Sequence, residues 1–380
     1  MTRILKRLFC VPAIIVAAGV VCQAAPFQEN SENGRNNNLS DERLMEIADS
    51  LHRIMFSIDT HNDSAIAINH PGVDQGVTTG QVTFPLMKQG GLDASLFAIY
   101  IEQVKRTDKT RREARDMVVD EIAKFKEYIN RHSSEAAQAW CSDDFLKLKR
   151  EGKSIVMFAI ENGFALEKNI ENLKFFYDMG VRAITLSHNY NNDVCDASRD
   201  SVAEWGGLSP FGYEVVKKMN ELGMMIDVSH VASSTLWDVL GVSKAPVFAS
   251  HSGAWAMKNH PRNLKDEEIK AIAAKGGLIQ VATGRFFLSN LPKSQVTVKH
   301  LVDHIDHVKS LVGAEHIGLG TDFDGGGGVV GLENAGKMKN ITVELLRRGY
   351  THEEIALFWG GNFLRFMKSV EQKAKELAQK

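Results

Sequence analysis

From Asp41 onward the chain alternates between short apolar, largely β-branched runs and longer amphipathic stretches. The runs are FSIDTH (56–61), ASLFAIY (94–100), SIVMFAIE (154–161), RAITLSH (182–188), MMIDVSH (224–230), PVFASH (246–251), LIQVAT (278–283) and HIGLGTDF (316–323). Runs of this kind are expected for parallel strands covered by helices, because such strands meet little water on either face. The stretches between them space their apolar residues as helices do, as in Glu214 to Leu222, Asp266 to Ala274 and Val298 to Leu311. A further helix is predicted from Asp41, where Leu44, Ile47, Ala48 and Leu51 share a face. Gly91, Gly180, Gly223 and Gly277 stand just before strands, where a helix C-cap glycine is expected. Eight strand–helix units in succession predict an α/β fold, a (β/α)8 TIM-type barrel with extra N- and C-terminal helices, over residues 41–380.

The pattern before Asp41 is of another kind. Arg3, Lys6 and Arg7 precede an apolar run from Leu8 to Val21, and Ala24 and Ala25 follow. This is the pattern of a signal peptide, expected to be cut after Ala24, and the apolar run is short for a membrane span. Residues 25–40 are polar and rich in Asn, as in a flexible tether. The chain is therefore expected to be exported, to the periplasm or beyond, with no transmembrane span after cleavage. Lipid attachment at Cys22 is the less favoured alternative, because Gly19-Val20-Val21 offers no small residue directly before the Cys. The terminal KAKELAQK has no apolar tail for a glycolipid anchor.

Composition adds little to this. With 44% hydrophobic and 24% charged residues, the chain reads as globular. The leader holds three of the 45 basic residues and no acid, so its loss shifts the net charge from −2 to −5, which gives no reason to expect nucleic acid as a partner. Cys141 and Cys195 remain after the leader; an oxidising compartment permits them to pair, and two unbonded thiols are the plainer expectation.

The chemistry is concentrated where the runs end. His61 and Asp63 close the first run, Glu161 the third, His188 the fourth, His230 the fifth, His251 the sixth and Asp322 the eighth. In a parallel barrel these ends converge on the face where active sites form. Residues i and i+2 of a strand point the same way, so His61 and Asp63 can reach one ion while Asn62 points elsewhere. A lone His at a strand end is ordinarily a hydrogen-bonded core residue, and a lone Asp ordinarily a helix cap. Such readings would have to hold at six strand ends independently. So many ionisable groups in an apolar barrel mouth need partners, and metal ions supply them. Four imidazoles and three carboxylates suit Zn2+ or a similar divalent ion, and their number favours two ions bridged by a carboxylate.

Other features are set aside. His300, His304 and His307 have helical ligand spacing but are read as the solvated face of an outer helix. Gly325 to Gly328 lack the Lys-Ser/Thr of a phosphate loop. Ser252 lies outside any Gly-x-Ser-x-Gly elbow.

These residues together resemble the membrane dipeptidase (renal dipeptidase) family of zinc peptidases. The resemblance is carried by IDTHND (58–63), AIENG (159–163), LSHN (186–189), GLSPFGYEVVKKMNELGMMIDVSH (207–230), APVFASHS (245–252), Arg262-Asn263, GLGTDFDG (318–325) and GGNFLR (360–365). It spans the chain from about Asp41 to the C-terminus. It implies two Zn2+ ions per chain, one held by His61 and Asp63, one by His230 and His251, with Glu161 bridging them. It further implies a water or hydroxide between the ions as nucleophile, oriented by Asp322, which passes its proton to the leaving amine. His188 would stabilise the oxyanion, and Arg262 would hold the free carboxylate of a dipeptide substrate. Barrels of this type often pair, so a homodimer is an expectation.

Two positions depart from the family pattern. Ala282, Thr283 and Gly284 replace an Asn and an aromatic residue in a segment that helps line the substrate pocket. Asn162 replaces a small Gly after the bridging Glu. Two other readings stay open: a barrel metallohydrolase acting on lactones, cyclic amides or phosphoesters, and a non-catalytic binding protein that has kept the fold. Against the first, the expected modified Lys at the end of the fourth run is absent and His188 stands there. Against the second, every expected ligand is present.

Overall fold

The apolar runs pair side by side in the order in which they occur. The computed structural model describes residues 39–65 and 80–379. The expected leader, Cys22 and nearly all of the expected tether lie outside the described residues. Nine strands form one parallel sheet: β1 (Ile58–Asn62), β2 (Ala94–Tyr100), β3 (Ala136–Gln138), β4 (Ser154–Glu161), β5 (Val181–Thr185), β6 (Met225–Asp227), β7 (Phe248–Ser252), β8 (Leu278–Val281) and β9 (Ile317–Leu319). Neighbours follow the order β1-β2-β4-β5-β6-β7-β8-β9. A parallel bridge from Asn62 to Phe323 joins the first strand to the segment after the last. The result is the predicted (β/α)8 barrel. The additional β3 pairs with the start of β4, before β5 begins. Its sequence, Ala-Ala-Gln, has no apolar run to announce it.

Alternation along the strands divides the apolar residues into two layers. Ile155, Met157 and Ala159 of β4 belong to the barrel interior with Leu96, Met225 and Phe248. Val156, Phe158 and Ile160 face the surrounding helices. Continuing the inner series by one step brings Glu161 to the barrel mouth. The C-terminal helix Asn362–Ala378 closes the other end, placing Phe363, Phe366 and Met367 in the interior cluster. Each such side chain contributes about 1.5–3 kcal/mol by leaving water.

Three expectations are corrected in detail. The fourth and fifth runs leave strand geometry three residues early and the eighth four, so His188, His230 and Asp322 sit on the loops that follow β5, β6 and β9. His230 (φ 69°) and Asp322 (φ 61°) have left-handed backbones, which no strand can continue through. Before β8 it is Gly276, not Gly277, that takes the left-handed cap conformation (φ 77°). Finally, His304 is buried rather than solvated. Its Nδ1 accepts from the Ala254 amide at 3.0 Å, while His307 pairs with Asp266 at 2.8 Å. Cys141 and Cys195 are unbonded. Among the described residues, no helix is long and apolar enough to cross a membrane.

Candidate metal centre and substrate pocket

The strand-end residues meet on one side of the seam between β1 and β9. The Asp322 amide donates to the His61 carbonyl (3.0 Å) and the Asp63 amide to the Phe323 carbonyl (2.8 Å). Below them, Asp59 accepts from the Thr321 amide and hydroxyl, each at 2.7 Å. Asn62 turns away, its Nδ2 donating to Ser95 Oγ (2.7 Å) and the Leu96 carbonyl (3.0 Å). His61 and Asp63 are thereby left facing the mouth together.

Glu161 is the hub. Its Oε1 lies 3.7 Å from His61 Nε2, 3.0 Å from His230 Nε2, 3.5 Å from His251 Nε2 and 4.0 Å from His188 Nε2. His61 Nε2 is 3.6 Å from Asp63 Oδ2, and the Nε2 atoms of His230 and His251 are 2.9 Å apart. Three ligand-like sets result: His61, Asp63 and Glu161; Glu161, His230 and His251; and His61, His251 and Asp322. Glu161 belongs to two of them. Tetrahedral bonds of about 2.0–2.1 Å put ligand atoms about 3.3 Å apart, close to the separations found here. His61 Nε2 and Asp63 Oδ1 are buried with no hydrogen-bond partner among the described residues. Buried polar atoms are rarely left so unless an ion or water completes them. The donor set therefore fits divalent metal.

Hydrogen bonding prepares one of these imidazoles for a cation. Asp227 Oδ2 accepts from the hydroxyls of Ser250 and Thr185, each at 2.5 Å. Its Oδ1 accepts from the amides of Ser229 and Ser250, each at 2.9 Å. Ser250 has one hydroxyl proton and gives it to Asp227, so its Oγ accepts from His251 Nδ1–H at 2.8 Å. His251 Nε2 is left with its lone pair turned toward Glu161.

Electrostatics divides the cluster by role. Burial alone would lower His61, but the carboxylates of Glu161 and Asp63 override it and raise His61 to about 10; a proton there takes the place of a cation. Burial, then the Arg262 charge, holds His230 well below its ordinary value. Burial and the neighbouring His61 do the same for His251. Burial and Arg262 bring His188 down to about 3, so its imidazole is neutral. Burial, then the Asp63 carboxylate, pushes Asp322 up to about 7. Gly325 allows this crowding of acids: a Cβ there would lie 2.1 Å from Asp63 Oδ2 and 2.6 Å from Asp322 Oδ1.

The cluster opens into a cavity of about 350 Å3, lined also by Tyr100, Asn189, Arg199, Arg262 and Phe287. A larger groove of about 850 Å3, lined by Lys275 and Arg365 among others, lies at the opposite ends of the strands and holds none of these ligands. Arg262 is buried, and burial lowers it to about 10 against the pull of Asp322 and Glu161. Its guanidinium lies 5.4 Å from the Phe287 ring centre. One nitrogen donates to the His251 carbonyl (3.2 Å), while Nε has no partner among the described residues. From the 281–287 segment it is Phe287 that reaches the pocket. Thr283 instead ties the loop down, accepting from the Gly328 amide at 2.8 Å.

Asn162 holds a backbone that favours glycine (φ 96°) by means of its side chain. Oδ1 accepts from the Phe164 amide (3.1 Å) and Asn192 Nδ2 (2.8 Å). Nδ2 donates to the Ile101 carbonyl (3.0 Å) and Gln103 Oε1 (3.2 Å). Sequence reasoning singled out neither Asp227 nor Ser250, although a polar residue within an otherwise apolar strand was a signal. Tyr100 and Arg199 were missed as well, and only Tyr100, at the end of a run, had a pattern to mark it.

A family model described as membrane dipeptidase (peptidase family M19) matches residues 45–380. Dipeptidase tcpJ of Claviceps purpurea is 32% identical over 300 residues, 78% of this chain and 70% of its own length. The uncharacterized dipeptidase C965.12 of Schizosaccharomyces pombe is 30% identical over 344 residues, 85% of this chain and 82% of its own. Among solved structures, the probable dipeptidase PvdM from Pseudomonas aeruginosa superposes with a TM-score of 0.83 at 29% identity, over 87% of this chain and 99% of that one. With the family model covering the barrel and dipeptidases of fungi and yeast matching along most of it, this chain belongs to the membrane dipeptidase family of metallopeptidases, peptidase family M19.

Proposed function

We propose that the protein is a zinc-dependent dipeptidase using two ions. His61 and Asp63 would hold one, His230 and His251 the other, and Glu161 could serve both. The observation that carries this is the buried Arg262, with an unpaired Nε, in the same cavity as the ligand cluster. Bound there, the ions would lower the pKa of a water and polarise the scissile carbonyl.

The chain's own residues supply the rest. Arg262 pairs with the C-terminal carboxylate of the substrate, and its planar fork fixes the orientation. The distance from this clamp to the ligand cluster would admit one residue beyond the scissile bond, as the C-terminal half of a dipeptide requires. The Asp322 carboxylate accepts a proton from the attacking water and returns it to the leaving nitrogen, serving first as general base and then as general acid. The neutral His188 donates its ring N–H to the developing oxyanion. Water thus adds OH to the acyl carbon and H to the amine as the C–N bond breaks. The leader-like residues 1–24 support action after export.

The test is turnover of dipeptides, N-blocked dipeptides, tripeptides, lactones and phosphotriesters, with metal analysis of the same sample. Free dipeptides should be preferred, and Glu161→Gln should abolish their hydrolysis. Activity that persists in chelated, metal-free protein would overturn the mechanism. Preference for the blocked or phosphorylated compounds would overturn the substrate.

A further inference from the structure

The pocket holds one more positive charge than a simple dipeptide uses. Asp63, Glu161 and Asp322 face the metal cluster, Asp324 on the same wall accepts from the Ser64 hydroxyl and the Gln81 amide, and Arg262 accounts for the terminal carboxylate. Arg199 also lines the cavity, on a loop that is firmly held. The amide of the preceding Ser198 donates to the carbonyl of His230 (2.7 Å). The carboxylate of the following Asp200 accepts from the Asn191 amide (3.1 Å). Asp196 gathers the amides of Glu204, Trp205, Gly206 and Gly207 at 2.7–3.2 Å, closing the loop on itself.

The acids near this loop are already engaged. Asp193 binds Arg111 (2.7 Å), and Glu204 pairs with Arg106. Among the described residues, Arg199 forms no ion pair. Its charge is felt at Arg262, His188 and His260, which places it on the flank where the terminal carboxylate would dock. An exposed, unpaired guanidinium on a held loop beside a carboxylate clamp suits a second carboxylate a few bonds from the first.

We infer that Arg199 selects dipeptides whose C-terminal residue has an acidic side chain, an inference that rests on the dipeptidase reading above. The side-chain carboxylate pairs with Arg199 while the main-chain carboxylate pairs with Arg262.

The test compares kcat/KM for Ala-Asp and Ala-Glu with the amide isosteres Ala-Asn and Ala-Gln, using L and D forms of the second residue. Asp-Ala and Glu-Ala serve as positional controls. The metal-loaded full chain should favour the acid over its amide by roughly 1.4- to fivefold, as for one exposed ion pair. That ratio should shrink as salt rises, fall to near one in Arg199→Gln, and reverse toward Ala-Lys in Arg199→Glu. Melting curves and metal content of both variants separate lost selectivity from lost folding. Equal turnover of acid and amide would overturn the inference and leave the dipeptidase reading intact, as would a ratio unchanged in both variants or a preference for Glu-Ala. Failure to cleave any dipeptide would overturn the dipeptidase reading and the inference with it.

Discussion

Replacing Asp227 with Asn should cost metal affinity without touching a ligand. In Asp227→Asn the side-chain oxygen stays where Oδ1 is, because two backbone amides donate there at 2.9 Å. The NH2 group then occupies the Oδ2 position, where the wild type accepts the Ser250 hydroxyl at 2.5 Å. Two donors now face each other, so Ser250 Oγ must accept from the new amide and turn its proton toward His251 Nδ1. That drives the imidazole proton to Nε2, the atom that faces Glu161. Restoring a free Nε2 forfeits a buried hydrogen bond, about 1–3 kcal/mol, which corresponds to roughly 10–100-fold in affinity. Competition titration of the metal-free protein with a chromogenic chelator would measure this. Ser250→Ala should lose less, because it leaves the ring without a partner but imposes no wrong tautomer. Affinity in Asp227→Asn equal to wild type, in protein that melts normally, would refute the relay.

Two further substitutions probe stability. Asn162→Gly keeps the backbone at φ 96° but loses the side-chain hydrogen bonds, for a cost of about 1–3 kcal/mol. Asn162→Ala loses the same bonds and adds strain, so it should unfold at lower urea than the glycine variant; the opposite order would contradict the strain argument. His52 is lowered to about 4 by burial, with Nδ1 on the Gly91 carbonyl (2.9 Å) and Nε2 on Thr342 Oγ1 (2.8 Å). Below pH 6.5 the unfolded chain takes up a proton that folded His52 refuses, so its contribution is present above 6.5 and lost as pH falls toward about 4. The loss amounts to about 3 kcal/mol. Urea midpoints should therefore fall more steeply with acidification in wild type than in His52→Gln, and parallel slopes would exclude His52 as a source.

The strands were legible because parallel strands under helices are apolar nearly throughout, and ASLFAIY and SIVMFAIE begin and end where β2 and β4 do. The ends of MMIDVSH and HIGLGTDF were misjudged because His230 and Asp322 adopt left-handed backbones, which residue type does not disclose. The candidate site was legible as a set, since topology alone brings strand ends together. Its surroundings were less so. Arg199 sits on a loop without periodicity, and His304 is buried where its ring meets the Ala254 amide, although Asp303 and Asp306 near it are charged. Asp227 and Ser250 lay within predicted strands, and only the pairing of β6 with β7 brings them together.

The seam between β1 and β9 sets an order of events. His61 and Asp63 come from the start of the barrel and Asp322 from its far end, and the backbone bonds that join them cross that gap. The set formed by His61, His251 and Asp322 therefore cannot assemble in a half-made chain, whereas Glu161, His230 and His251 come with strands already paired before the last one arrives. An ion held on the His61 side and touching Asp322 would reward closure rather than guide the earlier steps. Bound there, it would favour the closed ring and by mass action resist openings that begin by parting β1 from β9.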